Sequence, residues 1–176
     1  EVFTPSSPQQ SNAERIFCIR HNISDFPEMS ILENIVIIPG KPERSVFTGR
    51  KKLPSELVQL TDKFLPGISV STKLGDLTRC QRYMINLLKA VYFDARVVIM
   101  DIFWDALNQK DSQRLQEMIC YLKGEGMAFV VLVRNVDKVC EIFDRLTVFN
   151  KGNAVRTFDK RDFSRQKVIE CLKDAE

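Results

Sequence analysis

Asp101 closes the apolar run "VVIM", and a carboxylate at the end of a buried strand is placed to hold a metal ion or to face a phosphate. The next residue is Ile102, where a second acid would be needed to activate an attacking water, and isoleucine has no titratable group. Two more polar residues follow apolar runs in the same manner: Arg134 after "AFVVLV" and His21 after "RIFCIR". Arginine is always charged and has no acceptor, so Arg134 can hold an anion but cannot relay a proton. At each of these positions the plain alternative is a polar side chain capping a strand.

Other chemistries find little material. His21 is the only histidine, so a structural zinc site would need an unusual ligand set. The five cysteines, Cys18, Cys80, Cys120, Cys140 and Cys171, are odd in number, widely spaced and never paired as CxxC. They read as reduced, mostly packed thiols of a cytoplasmic protein.

The elements that must position these residues can be read from periodicity. "RIFCIR", Arg15 to Arg20, reads as a strand, and "IVII", Ile35 to Ile38, as a short extended piece before Pro39 and Gly40. "PSELVQLTDKFL" places Pro54 and Ser55 at a helix start, with Leu57, Leu60 and Phe64 on one face. A helix is expected from Thr78, because Thr78 and Gln81 fit a capping box and Met84, Leu88, Val91 and Tyr92 share a face. Then come "VVIM", a helix with Leu115, Met118, Ile119 and Leu122 inward, "AFVVLV", and a short helix around "VDKVCEIF". Strands "RLTVF" and "AVRTF" flank a turn at "NKGN", and a last helix contains Val168, Ile169 and Leu172. Helices alternating with continuous apolar strands predict an α/β fold with a largely parallel sheet covered on both faces. In such sheets, ligands bind beyond the carboxyl ends of the strands, where Asp101, Arg134 and His21 fall.

Composition sets bounds. With 176 residues, 44% hydrophobic and 28% charged, the chain is long enough for a real core and too apolar for disorder. The longest apolar run, "MAFVVLV", is far short of the roughly 20 residues that span a bilayer. The first residues, "EVFTPSSPQQSNAE", do not read as a secretory signal. A formal charge of +3 with both signs interspersed gives no case for nucleic acid, and "RKK" at Arg50 to Lys52 reads as a solvated turn rather than a lipid contact.

Four stretches in order carry a resemblance: "IFCIRHNISDFPEMSILENIVI", "LTRCQRYMINLLKAV", "VVIMDIFWDALNQKD" and "GMAFVVLVRNVDKVCEIFDRLTVFNKG". They resemble the Q-loop region, the signature motif and its helix, Walker B with the D-loop, and the switch segment of ATP-binding cassette (ABC) transporter nucleotide-binding domains. More specifically, they resemble the ATPase subunits of monosaccharide importers. The resemblance implies a P-loop NTPase-like cassette, one domain overall, truncated so that it begins past the family's phosphate loop and its helix. Residues 1–40 would form an N-terminal strand and Q-loop-like region, 41–76 a small helical insert, and 77–176 the signature helix, Walker B-like and switch-like strands and C-terminal helix.

At the positions where that family does its chemistry, the sequence departs from the pattern. These residues contain no GxxxxGK[ST], the loop whose backbone N–H groups cradle phosphates. His21 replaces the Q-loop glutamine. Thr78 stands at the signature serine and Gln81 is retained, but Arg79 and Cys80 replace two glycines that let the main chain approach a phosphate. Asp101 is the residue expected to orient magnesium, and it is the one metal candidate. Ile102 stands at the catalytic glutamate and Arg134 at the switch histidine, so no catalytic residue is intact. A positioned base is worth about 10² to 10⁴ in rate. The implied activity, ATP hydrolysis coupled to transport, is therefore expected to be lost, with ATP and magnesium bound only where nucleotide binding is retained. The expected partners are an ABC permease subunit or a second ATPase-like domain, contacted around His21 to Asp76 on the cytoplasmic face of the membrane. An ATP-hydrolysing importer subunit whose Walker A lies outside these residues, and a sensor module of a signalling protein, are the alternatives. The isolated chain is expected to self-associate through an unpaired edge at "VVIM" or "AFVVLV", unless "RIFCIR" repacks to cover it.

Overall fold

The computed structural model describes residues 6–21, 26–37, 53–135 and 141–173. The basic stretch at 40–52 and most of the helix expected around "VDKVCEIF" lie outside them. The chain divides into two compact units, Glu1–Val133 and Arg134–Glu176.

The first unit is built on a parallel sheet of β1 (Ile16–Arg20), β2 (Val97–Asp101) and β3 (Ala128–Leu132), in that order. The register runs from Ile16 opposite Val97 to Arg20 opposite Asp101, and from Val97 opposite Ala128 to Asp101 opposite Leu132. "VVIM" is thus the middle strand, paired on both sides, and not an open edge. "RIFCIR" forms β1 against β2 and does not pair with β3. Among the described residues, β3 has no second ladder partner.

A 14-residue helix, α4 (Arg79–Tyr92), follows α1 (Pro8–Ala13), α2 (Ile31–Val36) and α3 (Ser55–Phe64) in the chain, and its core supports the sheet. Tyr83 through Leu88 are all buried, which is more than the single apolar face read from periodicity. The reason is that α4 packs against α2, α3, α5 (Gln109–Gly124) and β1 at once. Truncating a fully buried side chain such as Leu88 costs about 2–5 kcal/mol.

Residues 31–36 form a helix, where the sequence suggested extended chain at "IVII". The Ser30-x-x-Glu33 capping box outweighs the β-branched residues: the Ser30 hydroxyl accepts from the Glu33 N–H, and the Glu33 carboxylate accepts from the Ser30 N–H at 2.7 Å. Ile31, Ile35 and Val36 then fall inward.

The second unit is a hairpin of β4 (Arg145–Asn150) and β5 (Asn153–Asp159) carrying α6 (Arg165–Lys173). The turn expected at "NKGN" is present, with Lys151 and Gly152 at positive φ. Val148, Phe158 and Cys171 form its core, with Phe163 and Val168 packed against them.

Candidate functional site

The parallel register of β1 and β2 brings two of the candidate residues together. Arg20 is opposite Asp101, so His21, one residue further, reaches the Asp101 side chain: Nδ1 lies 3.7 Å from Oδ2. That is an ion-pair distance rather than a hydrogen bond. Both side chains are partly exposed.

Behind Asp101 the chain makes one 3₁₀ turn at Trp104–Ala106, with Trp104 N–H bonded to the Ile102 carbonyl at 2.9 Å. The turn drives Ile102 and Trp104 into the core and leaves Phe103 outside, 41% exposed. The Phe103 ring meets the His21 imidazole at a tilt, with centroids 4.5 Å apart and planes at 51°. At the position where a hydrolase would present its base, the side chain faces inward and is only 5% exposed. Phe103 was not singled out from the sequence, since nothing in its spacing marks a ring in contact with a distant histidine.

Three of the four residues at the start of α4 have structural employment. Thr78 caps the helix: its hydroxyl accepts from the Gln81 N–H at 3.3 Å, and the Gln81 side chain accepts from the Thr78 N–H at 2.8 Å. Cys80 is buried, and its thiol donates to the Asp111 carbonyl at 3.3 Å. Burial, with the Asp111 carboxylate adding to it, pushes the Cys80 thiol up to about 12, so it stays protonated and unreactive. Arg79 alone of the four projects into solvent free of such duties. Arg82, not predicted, holds the approach to the helix by donating to the Leu77 carbonyl at 3.2 Å and the Gly75 carbonyl at 2.8 Å.

Beneath the turn, the Tyr83 hydroxyl is buried and makes no hydrogen bond of good geometry among the described residues. Burial raises its pKa, and the Phe103 backbone, as a hydrogen-bonding neighbour, and then Arg79 oppose that shift. A second residue missed in the sequence is Asn34, whose buried side chain accepts from the Phe26 N–H and donates to the carbonyls of Phe26, Met29 and Ser30. It pins residues 26–30. Arg134 is exposed and belongs to the second unit.

Among the described residues, no group of three or more His, Cys, Asp or Glu side chains could hold a metal ion. Magnesium favours near-octahedral oxygen ligands, one or two of them carboxylates. One carboxylate already facing an imidazole fits that ion poorly. No described helix is long and apolar enough to cross a membrane.

No protein-family model matches the sequence. The ribose import ATP-binding protein RbsA of Bacillus licheniformis is 30% identical over 152 residues, covering 86% of this chain and 31% of that protein. The protein of the same name from Chelativorans sp. is 28% identical over 167 residues, covering 95% and 32%. The chain therefore spans about a third of the length of the curated relatives it matches. Among solved structures, the ADP conformation of an ATP-binding cassette of an ABC transporter superposes with a TM-score of 0.75 at 19% identity, covering 94% of this chain and 71% of that one. An inward-facing metal-chelate-type ABC transporter gives 0.70 at 17% identity, covering 90% and 64%. The chain has the fold of an ABC ATPase cassette.

Proposed function

We propose that this chain, an ABC-cassette fold similar to one third of ribose import ATP-binding proteins, is a catalytically degraded member of that group. It works by binding protein partners, in sugar transport or its regulation. The observation that carries the reading is the state of Asp101: its carboxylate faces His21, the Phe103 ring contacts the imidazole, and the adjoining Ile102 is packed in the core. Thr78, Gln81 and Cys80, which would have to reach a phosphate, are committed to a helix cap and a buried contact.

Partner binding finds support in the 26–30 loop. Asn34 holds it in one conformation, and it presents Phe26 at 48% exposure, an apolar side chain offered to a partner at low ordering cost. The partner is a permease subunit or a second ATPase-like domain, met on the cytoplasmic face of the membrane. A second reading, an ATP-hydrolysing subunit whose phosphate loop lies outside these residues, draws on the retention of Asp101 at its strand end.

Phosphate release with magnesium and ATP, measured on the protein as it is made in its cell, separates the two. We expect background. Turnover of about 1 per second or more that disappears in Asp101→Asn would overturn the degraded reading.

A further inference from the structure

We infer that Arg82 is a positioning residue for the 26–30 loop: its guanidinium ties residues 75–77 to the first turn of α4, and Gly75 in turn holds the loop that presents Phe26. The use of this link rests on the reading of Phe26 as a partner contact. Its geometry does not.

Residues 27–32 and 70–75 run antiparallel, with a bridge between Ser30 and Lys73. Leu74 and Gly75 donate their N–H groups to the carbonyls of Met29 at 2.9 Å and Pro27 at 2.8 Å, and Ile31 and Leu32 donate theirs to Thr72 and Val70, both at 2.9 Å. The last two bonds also satisfy N–H groups at the start of α2, which a helix cannot bond for itself. Only glycine fits where the segments come closest, since a Cβ on Gly75 would lie 3.0 Å from the Pro27 carbonyl oxygen and 3.4 Å from its Cβ. Arg82 secures the other side of Gly75. Its Nη2 donates to the Gly75 carbonyl and its Nε to the Leu77 carbonyl, so one planar fork bridges two points of the chain that enters α4. Both acceptors are main-chain carbonyls rather than carboxylates, so the arginine orders backbone instead of pairing charge. The loop with Phe26 and the start of α4 thereby form one hydrogen-bonded frame, in which a partner seated on Phe26 meets a surface set by α4.

Amide hydrogen exchange of the full protein, with no partner added, is the test. In Arg82→Met the amides of Met29, Leu74 and Gly75 should exchange about tenfold or more faster, because two bonds from a charged donor are lost, while the amides of β2 keep their rates. Arg82→Lys, with a single ammonium in place of the fork, should fall between the two. Gly75→Ala reaches the loop without altering the arginine and should release the same amides. Faster exchange at those amides in Arg82→Met and in Gly75→Ala, graded through Arg82→Lys, supports the proposal. A rise confined to α4 in Arg82→Met would make the arginine a helix-stabilising residue and overturns it, as do parent rates in Gly75→Ala or a rise shared equally by β2 in all three variants. Because no partner enters the measurement, a wrong assignment of Phe26 leaves these rates unchanged.

Discussion

Among the described residues the Tyr83 hydroxyl lacks a well-formed hydrogen bond, although the Phe103 backbone lies near it. A buried polar group without a partner costs the desolvation of that group, about 1–3 kcal/mol, with no compensating bond. Tyr83 lies in the middle of the buried stretch of α4, so the ring earns its place by packing and the oxygen does not. Tyr83→Phe keeps the ring and removes the oxygen. It should leave the chain as stable as before or stabilise it by about 1 kcal/mol in urea unfolding. A loss of more than that would show that the hydroxyl has a partner in solution, an ordered water being the first suspect. Nothing in the sequence foretold this, since a tyrosine at a helical core position looks the same whether or not its hydroxyl is satisfied. The His21–Asp101 pair was only half legible: each residue could be placed at a strand end, but their meeting depends on β1 and β2 being neighbours in register.

At the scale of elements, local capping decided more than propensity. α4 begins where Thr78 and Gln81 predict, because a capping box is written in four adjacent residues and needs no tertiary knowledge. The same signal, Ser30 and Glu33, sits before α2, and the β-branched run after it drew the reading towards a strand. The Glu33 carboxyl is held below its ordinary range, first by the Ser30 hydroxyl and then by the Ser30 backbone N–H. The sign of the pH effect follows. A carboxyl whose pKa is lowered on folding contributes stability above its unfolded pKa, about 4.3, and loses it as pH falls through the lower folded value. Glu33→Gln can keep an amide in the cap but cannot titrate. Its stability should therefore fall less steeply than that of the parent chain below about pH 4.3. Equal slopes for the two proteins in acid unfolding would mean that Glu33 is not bonded to Ser30 in solution.

For the molecule as a whole, the order of helices and apolar strands made the parallel α/β architecture legible, because continuous apolar runs and amphipathic helices follow directly from burial. Which strand is central was not legible, since strand order is set by long-range pairing, and "VVIM" proved to be flanked on both sides. The same long-range placement governs nucleotide affinity. Phosphate groups are held chiefly by backbone N–H groups at a loop and helix start, and the one such helix start in the candidate site has its cap filled by Gln81 and an arginine at its first position. Asp101 offers a partly engaged carboxylate, and an anion near it gains nothing without a metal ion between them. Magnesium-ATP should accordingly bind these 176 residues only weakly. Trp104 is the sole tryptophan and lies two residues beyond Ile102 in the turn behind Asp101, so its emission reports on the site. A magnesium-ATP titration followed by Trp104 fluorescence and checked by calorimetry should show no saturation at micromolar nucleotide. Saturable micromolar binding that survives Asp101→Asn and is lost in Arg79→Ala would place the phosphates on the guanidinium at the start of α4. Saturable binding lost in Asp101→Asn would instead mean that the carboxylate exchanges His21 for a metal ion.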